Sequence, residues 1–192
     1  MANTRSSVHR IKVTLRGSKP PIWRRLEVPS TGTLQQLHRI VQEAFGWQGY
    51  HLWVIETPWG EFGISDPELG HRSAAAKKLR DVARAGDRLR YTYDFGDAWE
   101  HDILVEAVYA AEPGTAYPHC LSGRRACPPE DCGGMWGYEE LVEILADPAH
   151  DEHDERLDWL GLDSAEQFDP TAFDLAAVNA ALAAASAKKV DQ

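Results

Sequence analysis

Tyr91-Thr-Tyr-Asp-Phe-Gly-Asp-Ala-Trp-Glu-His101 holds two alternating half-strands joined by a Gly-Asp turn, and the rest of the chain can be ordered around it. Upstream, Leu89, Tyr91, Tyr93 and Phe95 recur at every second position. Downstream, Trp99, His101, Ile103, Val105, Ala107 and Tyr109 do the same. A period of two marks a half-buried strand. A three-residue loop over 96–98 pairs Phe95 with Trp99, Tyr93 with His101, Tyr91 with Ile103 and Leu89 with Val105, so both apolar sets share one face. A two-residue loop would mix the faces. This register sets Arg88 opposite Glu106, which is favourable, and Asp94 opposite Glu100, where like charges repel. Two carboxylates forced together predict a positive group beside them.

The chain has 192 residues, 43% hydrophobic and 26% charged, which fits one globular domain; its expected limits are 8–185, with flexible ends at 1–7 and 186–192. No window approaches the roughly 18 uninterrupted apolar residues of a membrane span, and the first ten residues lack a signal-peptide core. A cytoplasmic location with no membrane partner is expected. Cys120, Cys127 and Cys132 are three in number, which suits thiols or metal ligands better than a disulfide framework. Net charge is -10 and unevenly spread. Residues 1–90 carry fifteen Lys/Arg against eight Asp/Glu, whereas residues 130–174 carry fifteen Asp/Glu against Arg156 alone. Such polarity speaks to encounter and solubility, and the scattered basic residues disfavour a nucleic-acid surface.

The remaining patterns give an α+β fold. Ile11, Val13 and Leu15, then Ile22, Leu26 and Val28, form a hairpin across the turn at 17–21. Thr33 with Gln36 fits a capping box for a helix whose face is Leu34, Leu37, Ile40, Val41, Ala44 and Phe45, stopped by Gly46. Residues 51–56 read as a strand, 59–64 as its partner, and 74–85 as a helix. The expected architecture is a mixed, mostly antiparallel sheet, β-grasp-like in its N-terminal half, with helices on one face and an acidic helical C-terminal part. Short helices are placed near Tyr138, Pro148 and Asp174. Asp147-Pro148 and Asp169-Pro170 read as N-cap and first-turn proline, and Leu175, Val178 and Leu182 as a docking stripe.

Ile22-Trp-Arg-Arg25, the helix over 34–47 ending Ala-Phe-Gly-Trp, the Tyr91 to His101 segment, and Pro128-Pro-Glu-Asp-Cys-Gly-Gly134 with Gly137-Tyr138 together resemble the plasmid pRiA4b ORF-3-like family, also labelled insertion-element passenger TnpR-like. The resemblance spans about Ile11 to Leu182. It implies carriage on plasmids and mobile elements. The TnpR label points to a resolvase, but no nucleophilic serine in an arginine-rich catalytic fold and no DNA-binding module is visible. Cys127 departs from the family pattern.

Three chemical readings follow. A divalent metal, zinc by ligand chemistry, could be held by Asp94, Asp97, Glu100, His101, Cys120, Cys132, His150 and His153, turning the carboxylate repulsion into attraction. A metal-dependent hydrolase at the Asp94/Glu100/His101 hairpin is its catalytic form. Against it, neither Cys120-x11-Cys132 nor His150-x2-His153 has zinc-motif spacing, Arg24 or Arg25 could neutralise the acids, and Asp97 could make an Asx turn. Secondly, Cys132 in its Glu130-Asp131-Cys132-Gly-Gly loop could act as a nucleophile, though no partner base is identifiable and a small thiol filling space beneath two glycines explains it as well. The preferred reading is a non-catalytic module binding a protein or peptide, or a second copy of itself, through aromatic and charged anchors such as Trp23, Arg24, Arg25, Trp47 and Trp99.

Overall fold

In the computed structural model, which describes residues 6–64, 68 and 70–187, the first alternating runs become β1 (Ser7–Leu15) and β2 (Trp23–Pro29). They are followed by α1 (Leu34–Phe45), β3 (Trp53–Thr57), β4 (Gly60–Gly63), β5 (Arg72–Ser73), the single turn α2 (Leu79–Val82), β6 (Arg88–Tyr93), β7 (Trp99–Ala110) and β8 (His119–Arg124). Helices α3 (Gly134–Ala146), α4 (His153–Leu160) and α5 (Leu175–Ala187) complete the chain. All eight strands form one sheet in the order β5-β4-β3-β6-β7-β1-β2-β8, antiparallel except for the short β4–β5 pair. The fold is α+β, as expected. The expected flexible ends fall largely outside the described residues, but Ser7 already belongs to β1, and Ser186 and Ala187 to α5.

One sheet face is apolar and carries α1. Ile11, Val13, Leu89, Tyr91, Tyr93, Trp99, Ile103 and Val105 pack there with Leu34, Leu37, Val41 and Phe45 of the helix. All four first-turn N–H groups of α1 find acceptors: Leu34 N donates to Lys77 O, Gln35 N to Ala74 O, Gln36 N to Thr33 Oγ1 and Leu37 N to Thr33 O. The Gln36 side chain returns a bond to Thr33 N, closing the capping box, and Gly46 ends the helix at φ 79°. Thr33→Ala should therefore cost about 1 kcal/mol, read from the urea midpoint; an unchanged midpoint would mean that water caps the helix equally well.

The opposite face is charged and self-neutralising. Arg10 pairs with Glu27, Arg25 with Glu106, and Arg16 with Glu100 and Asp102. A bulge puts Glu106 between the partners of Arg10 and Ile11, which gives it the reach to meet the Arg25 fork with both oxygens. Three arginines of the basic first half, Arg10, Arg16 and Arg25, thus find their counter-charges on the sheet itself.

Three expectations need correction. The β6–β7 register is Tyr93 with Trp99, Tyr91 with His101, and Leu89 with Ile103, so Asp94 and Glu100 are not opposite each other. The connecting loop is five residues, 94–98, closed by Ala98 N donating to Asp94 O, with left-handed φ at Asp94 (56°) and Ala98 (52°). Because the discrepancy is two residues, the apolar faces still coincide. Secondly, the stretch 74–85 is helical only over Leu79–Val82. The alanine-rich approach bends instead of coiling because its carbonyls serve the α1 N-terminus and Ala74 N donates to Gly63 O, a tertiary demand that overrides helix propensity. Thirdly, α3 starts at Gly134 rather than near Tyr138, and α4 at His153 rather than Pro148. Asp147 and Asp169 instead close turns on Ala149 N and Thr171 N, while Asp174 caps α5 through Ala176 N and Ala177 N. In the docking stripe of α5 Leu182 is buried, Val178 is half-buried and Leu175 is exposed.

Candidate functional site

The five-residue loop is tied to two other segments at one end of the sheet. Asp94 N donates to Leu52 O at 2.8 Å, extending the β3–β6 pairing one step and bringing His51 beside Asp94. The loop before α3 is drawn in by acidic side chains that accept from backbone N–H groups. Glu130 takes Gln48 N at 2.8 Å on one oxygen and the Tyr93 hydroxyl on the other, while Asp97 Oδ2 takes Gly133 N at 3.1 Å. Trp47 Nε1 donates to Pro128 O at 2.9 Å, fixing the stiff Pro-Pro pair against the core. Gly134 is needed for close approach: a Cβ there would lie 2.4 Å from Asp97 O. Burial, helped by Glu130, raises the Tyr93 phenol well above its ordinary range, so it remains a donor.

At the centre of this junction His51 Nε2 lies 3.0 Å from Asp131 Oδ1 and 3.6 Å from Asp94 Oδ2. Asp94 is buried and also accepts Gly96 N. Asp131, like Asp94, has a left-handed backbone, φ 59°. Non-glycine residues in that region cost energy and collect at functional junctions. Among the described residues, His51, Asp94 and Asp131 form the group whose metal-ligating atoms all fall within 4.8 Å of one another.

Of the residues singled out from the sequence, Asp94, Asp97, Glu130 and Asp131 meet here. Glu100 and His101 do not. Glu100 is on the charged face with Arg16. His101 is fully buried between Phe45, Trp47 and Tyr91, held neutral by burial that pushes its pKa down to about 4. Cys132 adjoins the junction, but burial and the charges of Asp97 and Asp131 push its thiol up to about 12, which opposes a nucleophilic role. Cys120 sits on β8, its thiol against Ser122 O and raised by burial; Cys127 contacts Arg24 Nη2 at 3.0 Å and is pushed up to about 12. His150 accepts Glu152 N in the α3–α4 turn and His153 lies against Asp154, so neither joins the ligand group.

The expected aromatic anchors also need revision. Trp47 and Trp99 are buried in the core, and Arg24 is buried on Ala44 O and Arg124 O, with its guanidinium over Phe45 and Phe173. Trp23 is half-covered by Lys12 and Arg25, and Arg25 is committed to Glu106. Large indoles at strand and helix ends close the core instead of facing solvent. Exposed apolar side chains stand elsewhere: Tyr50 is 74%, Leu52 43%, Ile64 46% and Phe95 42% accessible, all at the sheet end that carries the His51–Asp94–Asp131 group. Trp136 and Trp159 are exposed on α3 and α4. His51 escaped the sequence reading because its pairing with Asp94 depends on the five-residue loop, and because the strand expected from residue 51 starts only at Trp53, which leaves His51 in the loop before it.

The junction belongs to a fold found in other proteins. The uncharacterised protein y4hQ of Sinorhizobium fredii (strain NBRC 101917 / NGR234) is 40% identical over 187 residues, covering 95% of this chain and 94% of that protein. The crystal structure of MM3350, a protein of unknown function from Methanosarcina mazei Go1, superposes with a TM-score of 0.81 at 37% identity, covering 90% of this chain and 98% of that one. Residues 7–177, which include every segment of the junction, match the plasmid pRiA4b ORF-3-like protein family, and the chain belongs to that family.

Proposed function

We propose that this protein is a non-catalytic interaction module, and that the sheet end bearing Tyr50, Leu52, Ile64 and Phe95 receives a protein or peptide partner. The observation that carries this reading is the gathering of four exposed apolar side chains on loops that are otherwise hydrogen-bonded into place. Apolar side chains grouped in this way mark contact sites, and a pre-ordered surface loses little entropy on binding. A protein partner suits the surface better than nucleic acid, because Arg10, Arg16 and Arg25 are already paired on the sheet. Among the described residues no helix is long and apolar enough to cross a membrane.

The test is quantitative affinity capture from the host together with sedimentation of the purified chain. Leu52→Asp with Phe95→Asp should weaken capture or self-association by roughly 30-fold or more, as loss of about 2 kcal/mol of hot-spot contact requires. Trp136→Ala should leave it unchanged. Identical capture and sedimentation for the wild type and the double variant would remove this surface from consideration.

A further inference from the structure

We propose that His51, Asp94 and Asp131 form a binding site for a divalent metal ion of the zinc type. His51 Nε2 is sealed from solvent and has no hydrogen-bond partner among the described residues, although two carboxylate oxygens stand 3.0 Å and 3.6 Å away. Contact at 3.0 Å without a hydrogen bond means that the Asp131 oxygen lies off the nitrogen's in-plane axis, while the Asp94 oxygen at 3.6 Å stands beyond hydrogen-bond reach. A hydrogen bond needs an oxygen on that axis. A metal ion needs the opposite arrangement: the ion takes the axis and the oxygens flank it. With metal–ligand bonds of about 2.1 Å, the two separations correspond to N–metal–O angles of roughly 90° and 120°, within the range of four- and five-coordinate zinc.

Charge points the same way. Asp94 and Asp131 bring two carboxylates to one imidazole, and among the described residues each of them lies within ion-pair distance of His51. A dication neutralises both at once. The ligands come from three segments, the loop before β3, the β6–β7 loop and the loop before α3, and all three are fixed by backbone hydrogen bonds independent of the ion. One imidazole and two carboxylates suit a first-row transition ion, and three protein ligands leave a position for water or an exogenous ligand. The site shares the sheet end of the apolar contact surface, with His51 between Tyr50 and Leu52 and Asp94 beside Phe95, but its test reads metal binding and not partner capture, so the two readings can fail separately.

The experiment is calorimetric titration of the chelator-treated full-length chain with zinc chloride at neutral pH, alongside visible spectra of the cobalt-loaded protein. One equivalent should bind, with affinity falling at least tenfold in Asp131→Asn and in His51→Gln and holding in Cys132→Ser. Asparagine tolerates left-handed backbone, so Asp131→Asn carries the test even if His51→Gln fails to fold. The cobalt form should lack the near-ultraviolet thiolate-to-metal band. No saturable binding, undiminished affinity in Asp131→Asn, or a thiolate band would each overturn the site.

Discussion

Replacing Gly137 with alanine is expected to cost this protein more than any other one-carbon addition to α3. A Cβ at 137 would fall 1.9 Å from Cys132 O, a contact between backbone groups that no rotamer change can relieve. Nor can the loop retreat. Gly133 N is bonded to Asp97, Gly134 lies against Asp97 O, and the Pro128 carbonyl is held by Trp47. Overpacking of this kind costs roughly 1–3 kcal/mol where neighbours yield, and about 3 kcal/mol or more is expected where they cannot. Urea unfolding of Gly137→Ala checks this. Stability within about 0.5 kcal/mol of wild type, the size of an ordinary surface substitution, would show that the loop before α3 is looser than its hydrogen bonds imply.

Acidification from pH 7 to pH 5 should remove stability on the order of 4 kcal/mol through two buried histidines. His38 stacks on Trp53 with centroids 4.1 Å apart and shares a 2.7 Å bond with the Tyr91 hydroxyl; burial, and secondarily Arg39, pushes its pKa down to about 3. His101 is pushed down to about 4 by burial, only partly offset by backbone acceptors at Tyr91 and Trp99. The unfolded chain protonates both near 6.5, while the folded chain keeps them neutral. Between those values the unfolded state binds more protons, so stability is fully present above about 6.5 and is lost as pH falls toward the folded values. Each group contributes about 2 kcal/mol over this interval at about 1.4 kcal/mol per pH unit. His101→Phe should halve the slope at the cost of the long 3.4 Å contact between Nδ1 and Tyr91 O, while Nε2 of His101 has no hydrogen-bond partner among the described residues to lose. Urea midpoints at pH 7, 6 and 5 decide the matter, and a flat profile would contradict the burial of both rings.

Much of the fold was legible because it rests on local rules. Period-two alternation placed β1, β2, β6 and β7, and Thr33 with Gln36 marked the start of α1 to the residue. Side-chain parity survived the register discrepancy because a two-residue shift returns each side chain to its own face. What was not legible depends on contacts between distant segments. Ala74 and Lys77 look helical until the α1 N-terminus needs their carbonyls. Asp94 and Asp97 were marked by the hairpin and Glu130 and Asp131 by the loop around Cys132, but the meeting of the two segments with each other and with His51 required a loop length that composition does not fix. Glu100 and His101, adjacent to the same motif, were drawn away by strand geometry: one faces Arg16, the other the core.

The interior position of β1, between β7 and β2, has a consequence for synthesis. Val13 is bracketed by Arg24 from β2 and by Ile103 from β7, some ninety residues later in the chain. Until β7 leaves the ribosome, β1 is paired with β2 on one side only, and β3, β4 and β6 have no strand to join them to it. Closing so long a segment carries an entropic charge before any native contact offsets it, which slows folding relative to locally wired proteins. During that interval the bare flank of β1 is the place where chaperones, or neighbouring unfinished chains, have their opportunity.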